Sequence, residues 1–101
     1  MFEVEYRLEL GVSQELSIGD LITKMKYMLR REFKVYDIDI RIMGVEPNVV
    51  TAPTAGLGTQ YIMRILRLLV KIPVTVNDPK IFYDIIKKFT DSDNIILLTR
   101  Y

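Results

Sequence analysis

A chain of 101 residues, half of them apolar and 27% charged, has the size and balance of one globular domain, which sets aside a disordered tail. A formal net charge of +1 supplies no global field that would gather nucleic acid or an anionic membrane, so such binding would need a local patch. Cys and His are both absent, which excludes disulfides, thiolate metal sites, the commonest metal ligand and the usual general base near neutral pH.

Residues 2–10 alternate, with Phe2, Val4, Tyr6, Leu8 and Leu10 against Glu3, Glu5, Arg7 and Glu9. Period two predicts a strand with one buried and one wet face. Ser17 is placed as an N-cap, and Asp20 suits the positive end of the helix dipole. Ile18, Leu21, Ile22, Met25, Leu29 and Phe33 then form an apolar stripe, opposite Lys24, Lys26, Arg30, Arg31 and Lys34. Over 35–43, Ile38, Ile40 and Ile42 alternate with Asp37, Asp39 and Arg41, predicting a second strand. Residues 44–60 hold two prolines and three glycines with no period, and are expected to be a long linker loop.

The segment 61–76 fits either a helix or a strand until it is compared with the start of the chain. A shift of 60 positions lays Val4, Tyr6, Leu8, Leu10 and Val12 on Arg64, Leu66, Leu68, Val70 and Ile72. The same shift lays Leu21, Ile22, Met25 and Leu29 on Ile81, Phe82, Ile85 and Phe89. This internal repeat, with Pro73 barring a helix interior, predicts a strand over 62–72. Asp78 as N-cap and Pro79 at the first helical position open a second helix, whose apolar face is Ile81, Phe82, Ile85, Ile86 and Phe89. A turn at 90–94 leads to a last strand over 95–101. The expected fold is α+β: a single domain 1–101, with a βαβ half at 1–43, a linker at 44–60 and a second βαβ half at 61–101. The simplest such arrangement is ferredoxin-like βαββαβ, a four-stranded antiparallel sheet with two helices on one face.

Gly56-Leu57-Gly58-Thr59 resembles a phosphate loop on the surface only, since that mechanism needs a turn leading into a helix N-terminus and a strand is expected here. Asp37 and Asp39 share a strand face, but two carboxylates are too few for a metal site, and cross-strand pairing with Arg7, Arg67 or Lys71 is the better reading. Ser13, Ser17 and Ser92 lie in turn or cap contexts without a base, so no catalytic residue, metal or cofactor is expected. What remains is binding by shape, through an exposed edge strand or the groove between the halves. Tyr61, Arg64, Arg67 and Lys71, with Gly56 and Gly58 beside them, are the candidate partner-binding residues. The expected function is a non-catalytic module for a protein or peptide partner or a second copy of the chain. The alternative is a nucleic-acid binder using Arg64, Arg67 and Lys71 with the Lys24, Lys26, Arg30, Arg31 and Lys34 stripe, although Glu3, Glu5 and Glu9 would repel phosphate from the sheet's wet face. No apolar run reaches the ~18 residues a span needs, and FEVEYRLEL carries too many charges for a signal peptide, so a cytoplasmic location is expected. Only Gln14, Gln60, Asn48, Asn77 and Asn94 are thermolabile amides, a thermophile-like usage.

The doubled βαβ pattern, the missing Cys and His and the Ile, Lys and Arg usage resemble small proteins of crenarchaeal filamentous viruses built from two βαβ motifs. That resemblance implies an accessory protein of the host cytoplasm acting through protein contacts. The second half also resembles a bacterial small-subunit ribosomal protein in its Asp93-Asn94-Ile95-Ile96 run. The basic RNA-binding segment of that family has no counterpart in 44–60, which contains no Lys or Arg.

Overall fold

The computed structural model describes residues 2–51, 60–75, 77–91 and 94–99. Along them run β1 (Phe2–Ser13), α1 (Ile18–Phe33), β2 (Asp39–Thr51), β3 (Gln60–Val74), α2 (Pro79–Phe89) and β4 (Ile95–Leu97). The strands form one sheet in the order β2-β3-β1-β4, and each neighbouring pair is antiparallel. β3 therefore lies between the two strands of the first βαβ unit, and β1 between those of the second. The halves interleave within one sheet. The result is an α+β fold compatible with the ferredoxin-like arrangement.

Alternation along the central strands decides which face is covered. Tyr6, Leu8, Leu10 and Val12 of β1 join Leu66, Leu68, Val70, Ile72 and Val74 of β3 in a single buried cluster. Leu21, Met25, Met28 and Leu29 of α1, Phe82 and Ile86 of α2, and Ile38 just before β2 complete that cluster, which puts both helices on the same face. Each large apolar side chain fully buried there contributes roughly 1.5–3 kcal/mol. The intervening residues Glu3, Glu5, Arg7 and Glu9 are exposed on the other face.

Both helices start where the sequence places their caps. The Ser17 hydroxyl accepts from the Asp20 amide at 3.3 Å, and the Asp78 carboxylate accepts from the Lys80 and Ile81 amides at 3.1 and 3.3 Å. These bonds satisfy amides that lack an intrahelical partner. α1 ends at Lys34, whose φ of 56° is left-handed. The apolar faces differ from expectation at two positions: Met28 is buried, and Ile81 is half exposed.

The first turn of α2 is fastened to β1 by aromatics. Tyr6 stacks on Phe82 with ring centres 4.2 Å apart and planes 6° from parallel, and Tyr83 meets both rings edge-on. The Tyr6 hydroxyl donates to Asn77 Oδ1 at 3.1 Å, and the Tyr83 hydroxyl donates to the Arg7 carbonyl at 2.7 Å.

All four strands differ in extent from expectation, and β1 runs on past residue 10 to Ser13. The second strand does not span 35–43: it starts at Asp39 and continues to Thr51, so 44–51 of the expected linker is strand. Residue 60 already belongs to β3, and the rest of that linker, with Gly56 and Gly58, lies outside the described residues. Gly44 and Pro47 mislead because they are read as turn residues, whereas an edge strand tolerates both at an irregularity or on its free side. β3 is likewise longer than 62–72; of the expected last strand, β4 covers Ile95–Leu97, residues 98 and 99 lie beyond it, and 100 and 101 lie outside the described residues. The Leu98 and Thr99 amides still donate to the Glu9 carbonyl, at 2.9 and 3.3 Å.

Candidate interaction surface

On the face of the sheet away from the helices, cations and carboxylates alternate in cross-strand rows. Lys71 sits opposite Glu5 on one side and Asp39 on the other, and its ammonium lies 3.4 Å from the Glu5 carboxylate. Arg67 sits opposite Glu9, with Nε 3.5 Å from that carboxylate, and its NH1 also donates to Glu46 of β2. The hydrogen bond and charge of Glu46 lead the causes that raise the Arg67 pKa above its ordinary value. Two of the three expected partner-binding cations are thus neutralised within the chain. Exposed pairs of this kind add little stability but cancel the local field. Near one end of this face Met63 and Ile65 are buried, and a Cβ on Gly11 would stand 3.5 Å from the Met63 sulfur and 3.6 Å from Ile96 Cβ. A Cβ there would make only ordinary contacts with both side chains.

Arg64 does not share a side with Arg67 and Lys71. Its position is in phase with Leu66 and Leu68, so it is directed toward the helix layer. There its NH2 donates to the Ser13 carbonyl at 2.7 Å and also to the Leu16 carbonyl. This holds the turn between β1 and α1, a structural duty. The Arg64 Nε is buried without a partner among the described residues. Tyr61 lies in the β3 ladder opposite Val50. The expected constellation is therefore split across two faces.

β2 carries the surface that the sequence reading missed. It is an edge strand of 13 residues, and no described strand pairs with its outer side. β4, at the opposite edge, is 3 residues long. Ile42 and Val45 lie opposite Leu68 and Leu66, on the helix side, yet they are 47% and 43% exposed. Met43 between them is 60% exposed. The pairing with β3 shifts by one residue between Ile42 and Gly44. Before the shift the odd positions Asp39 and Arg41 face the open side, opposite Lys71 and Leu69; after it, Gly44 and Glu46 do, opposite Arg67 and Ile65. The signal was present as IRIMGV, an apolar-polar alternation that slips by one position at Met43.

The α1 cations occupy a separate surface. Lys24, Arg31 and Lys34 are exposed, Lys26 and Arg30 are half-buried, and Tyr27 among them is 71% exposed. Among the described residues none of the five is in an ion pair, and the Arg30 Nε donates to the Tyr36 carbonyl at 3.2 Å. A shallow depression beside Asp84, Lys87, Lys88 and Asp91 is lined by both charge signs. Among the described residues there is no group of three or more metal-ligating side chains, and no helix long and apolar enough to cross a membrane.

Comparison with protein-family models, with curated proteins and with solved structures yields no match for the chain.

Proposed function

We propose that this protein is a non-catalytic interaction module that engages a protein partner by pairing along the outer edge of β2. The observation that carries the reading is the long edge that no described strand pairs, with Ile42, Met43 and Val45 exposed in its middle. An open strand edge offers backbone donors and acceptors in register, and adjacent apolar side chains add the burial that makes such pairing worthwhile. The first test compares capture from a nuclease-treated lysate of the native host by the wild-type chain and by Ile42→Lys/Val45→Lys. Both positions are half exposed, so the variant should keep its circular dichroism spectrum while losing the partners the wild type retains. Retention of the same partners by both chains overturns the reading.

The ferredoxin-like assignment and the internal repeat belong to the same proposal. Leu8 lies directly opposite Leu68, and these two are separated by the 60 positions that superimpose the halves in sequence. A twofold through that pair carries β1 onto β3. It also carries the Leu10–Leu97 pairing onto the Val70–Ile40 pairing, making Ile40 and Leu97 equivalent. Common ancestry with the two-βαβ crenarchaeal viral proteins is in keeping with such an interaction role.

A second reading is favoured by the α1 cations, none of which is in an ion pair among the described residues. Nucleic acid bound there would release counterions, with log K falling against log salt at a slope of up to about −4.5 if all five cations meet phosphates. Filter binding of RNA and DNA between low and physiological salt measures this directly. Lys24→Glu/Arg31→Glu should flatten the slope by about two units, and absence of retention at low salt ends the reading.

A further inference from the structure

The β2 edge is self-complementary. Because its facing switches at the shift between Ile42 and Gly44, residues on the same side of the sheet in the two segments have opposite parity. An antiparallel pairing of β2 with itself that matches faces therefore joins an odd position before the shift to an even one after it. One register does so with matched charged and apolar pairs on either side of the dyad, although Pro47 supplies no ladder donor there. It sets Arg41 opposite Glu46 on the open face, twice by symmetry, and Ile42 opposite Val45 on the helix face. Ile40 meets Pro47 in the same register, and the dyad passes between Met43 and Gly44. Sliding by two residues one way places Asp39 against Glu46, two like charges. Sliding the other way loses the Arg41–Glu46 pair and opposes Gly44 to Val45, which lie on different faces.

We infer that the partner of β2 is a second copy of this chain, joined antiparallel in the register that pairs Arg41 with Glu46 to make one continuous eight-stranded sheet. This rests on the reading of β2 as the interaction edge and names the occupant. The irregularity at Met43 is what selects it. A bulged edge mismatches a regular strand, since the extra residue leaves ladder groups unpaired. A second copy brings the same extra residue to the same place, so the two irregularities face each other across the dyad and the count balances. Ile42 of each copy then meets Val45 of the other and Met43 lies beside the dyad, which covers the largest run of exposed apolar side chains among the described residues. Exposed charge pairs contribute modestly, so Arg41 and Glu46 set the register while backbone bonds and apolar burial supply the affinity.

The experiment is sedimentation equilibrium on the full chain, with two charge-reversal variants run separately and mixed. The wild type should sediment at twice the monomer mass. Arg41→Glu and Glu46→Arg each convert both attractive pairs into repulsive ones and should weaken self-association about tenfold or more. Mixed in equal amounts, the two variants should recover association, because each now meets its opposite charge at both pairs. Hydrogen exchange should show protection gained with concentration along residues 39–48 and not along β4. A wild-type chain that stays monomeric, or a dimer indifferent to both reversals and to mixing, overturns this inference. The interaction-edge reading fails separately, on the Ile42→Lys/Val45→Lys capture comparison, so a monomeric chain that still loses a captured partner in that variant would sink only the self-pairing.

Discussion

Replacing Phe82 by Ala should cost about 3–5 kcal/mol, the range for removing a fully buried aromatic ring. Phe82 has no exposed surface and lies flat on Tyr6 at 4.2 Å, so its loss opens a cavity between α2 and β1 that neither backbone can close. Native domains of this size are stable by only about 5–15 kcal/mol, so the variant would sit near the edge of folding. With no Trp in the chain, urea unfolding followed by circular dichroism is the measurement, and Phe82→Leu is the control that keeps most of the volume. A loss under about 1 kcal/mol for Phe82→Ala would mean the stack carries no weight and α2 is held elsewhere.

The same cluster makes stability depend on alkaline pH. Burial first, then the nearby charge of Asp78 and then Tyr83, raises the Tyr6 pKa; burial raises that of Tyr83. Both hydroxyls hold their protons more tightly in the folded chain than in the unfolded one, where ionisation begins near the ordinary value of about 10. The stabilisation is therefore complete below pH ~10 and is lost as pH rises through the folded-state values. In Phe82→Ala, Tyr6 gains water and its share of that dependence should shrink.

The elements that dominate this energetics were the ones most legible beforehand. β1 could be read residue by residue, because strict alternation of apolar and charged side chains has one structural solution. Ser17, Asp78 and Pro79 announced the helix starts, because a capping side chain acts within three residues of itself and needs no tertiary partner. The interaction edge was not legible for the opposite reason. Gly44 and Pro47 favour turns in isolation, and only the long partner strand β3 makes an extended conformation pay over 44–51. Arg64 was grouped with Arg67 and Lys71 by charge, although its parity with Leu66 and Leu68 already put it on the other face. Parity was the stronger constraint, since a one-residue change of phase moves a side chain across the whole sheet. The neutralisation of Arg67 by Glu46 depended on the shift at Ile42/Gly44, and the slip in IRIMGV that marks it does not name the residue across the strand.

Leu8→Ala and Leu68→Ala should each cost about 2–5 kcal/mol, and the relation between the two costs tests whether the architecture is duplicated. Leu8 is fully buried and Leu68 is 2% exposed, and they are direct cross-strand partners at the centre of the sheet. If a twofold relates the halves, each leucine sees an equivalent cage of helix and strand, so the single costs should agree within about 1 kcal/mol. The double variant should then lose less than the sum, by roughly 0.5–1.5 kcal/mol, because the second truncation removes contacts the first has already weakened. Urea midpoints at constant m-value give all three numbers. Costs differing by more than about 2 kcal/mol would mean that the two sides of the sheet centre are packed by unrelated surroundings, and the match in apolar register would reflect only the common demands of strand and helix. Agreement, with the expected shortfall in the double, would place the origin of the fold in one βαβ unit whose strands became interleaved with those of its copy. A second copy of the chain adding itself along β2 would then repeat, between molecules, the antiparallel pairing that already joins β1 to β3 within one.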